Sequence, residues 1–234
     1  MQRLQNASAA RTAAVIAFIG AAAALSSQAA TASPVTKHAS ARHAAASVAT
    51  KSLQSRIRWV PVHHGAKTLR TLAPESRLLL ARAAAQSAGL ASVGLSFQDV
   101  YGVIDAETSW VPRDGMGRNG VTSMGLAQFE PATAKGLGLQ DPNDPVQAVH
   151  AAALYMKHGA EWAAHKIAHL KLSPQQYAAK LREGVSVYYN LSVRGRNKWD
   201  GINTAQLPLE TRRHISNVRS GAEEALELAA HAVA

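Results

Sequence analysis

The sequence predicts an all-α fold, to which a minor strand adds at most a small β component. Segments in which apolar and polar residues alternate are nearly absent, whereas apolar residues recur about every three to four positions along several stretches. Residue pairs that start helices precede some of these stretches, as at Asp144-Pro145 and Ser173-Pro174. The helical domain is expected to begin near Pro74, because the residues before it show neither period.

The N-terminal part of the chain differs in composition from the rest and predicts an export signal. Arg3 and Arg11 give a positive start, residues 12–25 are apolar and uncharged, and small residues that suit a signal peptidase follow. A signal peptide over residues 1–32 is therefore predicted. Because the apolar run is short and rich in Ala and Gly, we expect no stable membrane span after processing.

Residues 33–72 predict a flexible or loosely docked basic arm, since they combine Ala, Ser, His, Lys and Arg without a sustained period. Within this arm, only Arg56 to Val62 suits a short strand or an extended strap. Residues 73–234 are predicted to form a single monomeric domain.

Charge and cysteine content narrow the classes of partner. The formal net charge is +10, and removal of Arg3 and Arg11 with the signal leaves +8, so the surface should attract polyanions. We do not expect nucleic acid, because a recognition-helix signature and metal-finger spacing are both absent. The anionic cell envelope is the better partner, with an ordinary soluble surface as the alternative. The absence of cysteine rules out disulfides and thiolate metal sites.

Capping residues mark the expected helix boundaries. A helix over Glu75 to Ala88 should stop at Gly89, and Ser96 with Asp99 forms a capping box that starts the next helix. The remaining expectations are a glycine-rich loop over residues 112–121, helical character over Leu126 to Leu137 starting near Pro131, a helix from Asp144-Pro145, one from Ser173-Pro174 to Tyr188 or Tyr189, and one from about Pro208 to the C-terminus.

Glu107 is the candidate for chemistry. It ends the helix that starts at Ser96, on the same face as Val100 and Ile104. A carboxyl group in apolar surroundings can keep its proton and donate it to a glycosidic oxygen. Taken alone, Glu107 could equally be a glutamate at the solvated end of a helix.

Three further segments support the catalytic interpretation. The full set is Glu107-Thr108-Ser109-Trp110, residues 123–134 (SMGLAQFEPATA), Tyr188-Tyr189-Asn190 and Leu207-Pro208-Leu209-Glu210-Thr211. In this order they resemble the catalytic domain of the soluble lytic transglycosylases, the goose-lysozyme-like enzymes that cut the glycan strands of peptidoglycan. The resemblance covers roughly residues 95 to 220 and implies a lysozyme-like fold.

The resemblance also implies a mechanism. The MurNAc-GlcNAc β-1,4 bond would be cleaved without water, with Glu107 as acid and then as base, to give 1,6-anhydroMurNAc ends. The substrate's own acetamido group would act on the anomeric carbon, and no cofactor or metal would be needed. Such an enzyme would be exported and act in the periplasm or at the cell wall.

The residues implied to bind substrate are Ser123, Met124, Gln128, Tyr189 and Asn190. We expect the serine hydroxyl to hold the sugar, the glutamine amide to offer donors and acceptors, and the tyrosine hydroxyl to donate to Glu107. Asparagine would bind sugar substituents, and Gly125 would allow the backbone to approach the sugar.

The sequence departs from the family's pattern at several positions. Counting back from the glutamine puts the family serine at Asn119, so Ser123 fills that role only with a shorter loop. Ala127 replaces a methionine, Ser192 a glycine and His214 a tyrosine. A hydrogen bond made by that tyrosine is therefore either kept by the histidine or lost.

Two other carboxylates compete with this interpretation. Glu130 in the cleft would suit an inverting, hydrolytic muramidase, although its position before Pro131 equally fits the start of a helix. Glu210 is the second catalytic candidate, although Pro-x-Glu at a helix start is also explained by capping. A non-catalytic, peptidoglycan-binding scaffold of an envelope machine, such as a secretion or conjugation apparatus, is the third alternative.

Histidine is frequent but does not predict a metal site. His165 and His169 are four residues apart, and His158 and the pair His63-His64 lie elsewhere. No carboxylate or cysteine completes a ligand set with them. A solvated helix face is the expected location of His158, His165 and His169.

Overall fold

The computed structural model describes residues 50–64, 66–117 and 120–232. All of them belong to a compact unit that spans Arg42–Ala234. The predicted signal peptide and the first part of the predicted arm lie outside the described residues. The proposed limits of the arm and of the domain therefore stay predictions.

The described chain is mostly helical. Residues 50–56 are helical and lead into an antiparallel hairpin of β1 (Trp59–His64) and β2 (Lys67–Leu72). The helices that follow are α1 (Pro74–Ala88), α2 (Phe97–Thr108), α3 (Pro131–Gly136), α4 (Pro145–Ile167), α5 (Pro174–Asn190), α6 (Val193–Arg196) and α7 (Leu209–His231). Short 3-10 turns at Leu90–Val93 and Thr204–Gln206 and a second hairpin of β3 (Gly115–Met116) and β4 (Thr122–Ser123) complete the described elements.

Capping explains where the predicted helices begin and end. The Ser96 amide donates to the Asp99 carboxylate at 2.8 Å, and the Asp144 carboxylate accepts from the amide of Val146 at 2.8 Å. Ser173 forms a second capping box, and Gly89 ends α1 in the left-handed conformation. These predicted boundaries are confirmed.

The hairpin at residues 59–72 was not evident in the sequence, where only Arg56 to Val62 suited a strand. Most described residues of both strands are exposed or only partly buried, so their sequence needs no strict apolar alternation. The end of β2 is nonetheless fixed: Leu72 is fully buried, and the Thr71 hydroxyl donates to the Trp110 carbonyl at 2.8 Å.

The expectation of helical character from Leu126 is wrong for its first residues. Residues 125–128 form turns, Phe129 pairs with Met124 in an isolated β-bridge, and α3 begins only at Pro131. Gly125 and Gln128 both adopt the left-handed region, with φ of 67° and 51°, which breaks a helical path. A Cβ at Gly125 would overlap the Pro142 carbonyl oxygen. Close packing against Pro142 therefore requires a glycine here, and the expected approach of this backbone to sugar stays a prediction.

Helix α2 lies at the centre of the core, since Val100, Val103 and Ile104 have no exposed surface. It packs closely along α7 where Gly102 meets Gly221. A Cβ added at Gly221 would lie 2.9 Å from the Gly102 Cα, and one added at Gly102 would overlap the Val218 carbonyl. This glycine contact brings the backbones of the two helices together and so positions the end of α2 against the first turns of α7.

Asp105 provides a pH-dependent test of this interface. Burial, followed by the charge of Glu224, raises its pKa, while Arg77 opposes the shift. A carboxyl whose folded pKa lies above its unfolded value contributes stability at low pH, which is lost as the pH rises through the folded pKa. Asp105→Asn should therefore raise Tm at pH 7, and the gain should vanish in acid.

Thermal unfolding followed by circular dichroism over a pH series measures this effect. Glu161→Gln removes an exposed carboxylate from α4 and serves as the control, with no comparable gain. A gain for Asp105→Asn that is equal at every pH would contradict the explanation.

Candidate active site

Glu107 is the second-to-last residue of α2, and its side chain is only 16% exposed. It borders two cavities, of about 600 Å³ and about 560 Å³. Asn190 lines both cavities as well. A linear substrate that occupies both cavities would therefore pass the Glu107 carboxyl group.

Four of the residues implied to bind substrate line the larger cavity together with Glu107: Ser123, Gln128, Tyr189 and Asn190. They come from β4, from the turns before α3 and from the end of α5. The structure thus brings residues 123–128 and the end of α5 together with Glu107 near the end of α2.

Met124 is not placed with these residues. It borders a separate surface cavity with Pro131 and Leu139, and its amide donates to the Phe129 carbonyl at 3.1 Å. Successive side chains of an extended segment point to opposite sides. Because Ser123 faces the larger cavity, Met124 faces away from it. The substrate contact expected of Met124 therefore stays a prediction that this cavity does not support.

His214, on α7, contacts the Glu107 carboxyl group directly. Its Nε2 lies 3.0 Å from Oε1 of Glu107, and the histidine is 7% exposed. The ring lies nearly parallel to that of Tyr189, with centroids 6.3 Å apart and an interplanar angle of 17°. A hydrogen bond to Glu107 is thus made by the histidine that stands where the family has tyrosine.

The expected bond from Tyr189 to Glu107 is not observed. The Tyr189 hydroxyl donates to the Ala127 carbonyl at 2.9 Å, which ties α5 to the turn that carries Gln128. Burial raises the pKa of Tyr189 well above its ordinary value, and the charges of Glu107 and Tyr155 raise it further. Tyr189 therefore remains a neutral phenol that positions the cavity wall.

Gln128 presents one kind of polar atom to the cavity. Its amide nitrogen donates to the carbonyls of Arg113 at 2.6 Å and Gly125 at 2.8 Å. Both amide hydrogens are thereby used, which leaves Oε1 as an acceptor. The positive φ of this non-glycine residue is the kind of backbone strain that clusters at functional sites.

Asn190 is held through its amide oxygen, whereas Gln128 is held through its amide nitrogen. The Thr211 hydroxyl donates to Oδ1 of Asn190 at 2.8 Å, so the amide hydrogens of Asn190 point away from Thr211. This bond also joins the end of α5 to the first turn of α7. The buried Thr211 therefore orients the Asn190 side chain.

The two competing carboxylates occupy different cavities. Glu130 borders the larger cavity, at the N-cap of α3 but without a capping hydrogen bond from its side chain. Glu210 borders the smaller cavity in the first turn of α7. Glu107 is thus the acid that both cavities share.

Sequence reasoning missed three residues of this region. Arg113 donates to the carbonyls of Thr108 at 2.9 Å and Glu107 at 2.7 Å, and a basic residue just past a helix end is a signal for such a contact. Tyr155 and Arg196 border the larger cavity. The Arg196 guanidinium lies 3.8 Å from the ring centre of Tyr188 and donates to the Tyr155 hydroxyl at 3.2 Å.

The part of the chain that the structure describes contains no group of three or more His, Cys, Asp or Glu that could hold a metal ion. His158, His165 and His169 are exposed, as expected. Among the described helices, none combines the length and the apolar character needed to cross a bilayer.

The described domain is mostly helical, and the Glu107 carboxyl group borders both cavities. Residues 85–170 match the family model described as Transglycosylase SLT domain. The chain therefore contains an SLT-type transglycosylase domain, and the predicted helical, lysozyme-like fold is confirmed. The matched segment includes Glu107, Ser123 and Gln128, and it ends before Tyr189 and His214.

One curated protein adds to this match. A protein of Enterobacteria phage PRD1 named Transglycosylase is 39% identical to the chain over 62 residues, which make up 26% of this chain and 22% of the phage protein. The chain thus aligns with about a fifth of that relative's length. No solved structure matches the chain.

Proposed function

We propose that the protein is a peptidoglycan lytic transglycosylase that cleaves the MurNAc-GlcNAc β-1,4 bond and leaves 1,6-anhydroMurNAc ends. The observation that supports this proposal best is the position of Glu107, whose mostly buried carboxyl group borders both cavities. The SLT-type domain over residues 85–170 supports the same substrate class.

Glu107 performs both proton transfers in this mechanism. Its carboxyl group donates a proton to the bridging oxygen as the bond from that oxygen to the anomeric carbon breaks. The substrate's acetamido oxygen bonds to the anomeric carbon from the other side. The C6 hydroxyl then displaces the acetamido oxygen and returns its proton to Glu107, so the 1,6-anhydro ring closes and no water is consumed.

The cavity residues supply binding groups of known polarity. Oε1 of Gln128 accepts hydrogen bonds, the amide group of Asn190 donates them, and the Ser123 hydroxyl can do either. Hydroxyl and acetamido substituents of a glycan require this mixture of donors and acceptors. The site therefore binds sugar through these oriented polar atoms, beside the charged residues Glu130 and Arg196 that border the same cavity.

The experiment for this proposal is mass spectrometry of the soluble products from purified peptidoglycan sacculi. Transglycosylase action gives disaccharide products that are lighter by one water per cut than those of a hydrolase. Products with anhydro ends are expected. Binding to sacculi without any release of products would instead support a non-catalytic scaffold.

A hydrolytic muramidase is the second candidate, because Glu130 borders the same cavity as Glu107. Under our proposal, Glu130→Gln changes the rate by less than about tenfold and leaves the anhydro ends unchanged. Under the muramidase alternative, Glu130 activates the attacking water, and its removal costs about 10²-fold or more. Rate and product mass, measured together on sacculi, separate the two candidates.

We further propose that the protein is exported and acts in the periplasm or at the cell wall. The predicted signal peptide supports export, and the net charge of +8 that remains after removal of Arg3 and Arg11 supports contact with the anionic envelope. We also propose that the protein works with a secretion or conjugation apparatus of the envelope.

A further inference from the structure

We propose that His214 is a positioning residue that holds one oxygen of the Glu107 carboxyl group and thereby selects the other as the site of the transferred proton. In this arrangement the Nε2–H of a neutral imidazole donates to Oε1, and Oε2 carries the proton for the substrate. The inference rests on the proposed function of Glu107, although its structural part can be tested without any activity.

The tautomer follows from the surroundings of the ring. The Nδ1 atom of His214 has essentially no exposed surface and no hydrogen-bond partner among the described residues. A neutral imidazole carries one N–H donor and one acceptor nitrogen. Burying an N–H without an acceptor costs the full desolvation penalty of that donor, so the hydrogen belongs on Nε2. There it faces Oε1 of Glu107 at 3.0 Å.

The same argument disfavours an imidazolium ring. A charged ring would carry an additional N–H on the buried Nδ1, where the described residues provide no acceptor. His214 is then a neutral donor, and under the proposed function the reaction's proton is supplied by the glutamate and not by the ring. Because Oε1 already accepts a hydrogen bond from the ring, Oε2 is the oxygen available to carry that proton.

The ring is fixed strongly enough to act as a positioning group. Tyr189 lies parallel to it, and the Thr211 to Asn190 bond anchors α7 one turn earlier. The contact between Gly102 and Gly221 holds the backbones of α2 and α7 together. A glutamate has three rotatable side-chain bonds, so a fixed donor to one oxygen sets the plane in which the other oxygen lies.

Nitrogen-15 NMR of the histidine-labelled protein tests the tautomer directly. The His214 signals are assigned by their loss in His214→Gln. At neutral pH we expect Nδ1 in the chemical-shift range of an unprotonated ring nitrogen and Nε2 in the range of a protonated one. The reverse pattern, or two protonated nitrogens, would overturn the inference. This readout stands even when no glycan is cleaved, so it separates failure of this inference from failure of the proposed function.

Kinetics on soluble peptidoglycan fragments test the positioning role. His214→Leu replaces the ring with an aliphatic side chain that has no hydrogen-bond donor. We expect kcat to fall about 10²-fold, which is the cost of an acid misplaced by about 1 Å. KM should change less than about threefold. His214→Gln keeps an N–H donor and should recover at least about a tenth of the wild-type kcat. His150→Leu removes a half-buried histidine from α4, outside the site, and should leave kcat unchanged.

Equal kcat values for His214→Leu and His214→Gln would overturn the positioning role, as would a wild-type kcat in His214→Leu. Thermal unfolding shows whether each variant folds. If His214→Leu does not fold, His214→Asn is measured instead. The asparagine side chain is shorter than histidine, so its amide group cannot reach Oε1 of Glu107. His214→Asn is then expected to be as slow as predicted for the leucine variant, and a wild-type kcat would contradict the role.

Discussion

Glu107→Gln is expected to reduce the release of anhydromuramic products by at least about 10³-fold while leaving the fold intact. The amide has the same shape as the protonated carboxyl group but cannot transfer a proton. General acid–base catalysis contributes about 10²- to 10⁴-fold, and in the proposed mechanism one residue performs both transfers. Chromatography of soluble products from sacculi measures the effect, with circular dichroism to confirm folding.

Glu210→Gln is the matched control for this prediction. Glu210 is an acid that borders only the smaller cavity, so most of the activity should remain after its replacement. Retained activity in Glu107→Gln, together with loss in Glu210→Gln, would transfer the catalytic role to Glu210.

Gly102→Ala is expected to cause the largest loss of stability among the substitutions considered, and to reduce activity without touching the cavities. The added methyl group would overlap the Val218 carbonyl of α7, and backbone atoms cannot rotate away. Overpacking of this kind costs about 3 kcal/mol, which exceeds the gain of about 1 kcal/mol from replacing Gly by Ala in a helix. The contact between Glu107 and His214 should lengthen as α2 and α7 separate, at a cost of about 10²-fold in rate.

Urea unfolding and product release measure both effects of Gly102→Ala. Gly136→Ala is the matched control, because Gly136 lies in α3 and a Cβ there would meet nothing within 4 Å. The control should be as stable as the wild type or slightly more stable. Wild-type stability in Gly102→Ala would contradict the importance of the glycine contact.

Much of the helical framework was predictable because its signals are local. The Ser96 and Asp99 pair, the Asp144-Pro145 pair and the glycine after α1 each act within one turn of a helix, so a short stretch of sequence contains all the information. The hairpin at residues 59–72 has no such signal, because its mostly exposed or only partly buried strands do not require strictly alternating residues.

The site was predictable in part. Glu107, Ser123, Gln128, Tyr189 and Asn190 were found through sequence blocks, and the structure places all five at the larger cavity. Their hydrogen-bond partners were not predictable in the same way. That Tyr189 donates to the Ala127 carbonyl depends on how α5 meets the turn before α3.

His214 shows the same limit more clearly. Its position in the sequence marked a departure from the family's tyrosine, but only the packing of α7 on α2 shows that it reaches Glu107. Arg196 lies outside every sequence block considered, and its place at the cavity depends on stacking against Tyr188. Contacts between segments far apart in the chain require the fold to be known.

Digestion of sacculi in water enriched in oxygen-18 shows whether water takes part in the cleavage. If Glu107 alone closes the 1,6-anhydro ring, the new muramic ends contain no heavy oxygen and each lacks one water. Reducing ends that carry one oxygen-18 atom per cut would show that water attacks the anomeric carbon, and would contradict the proposed mechanism.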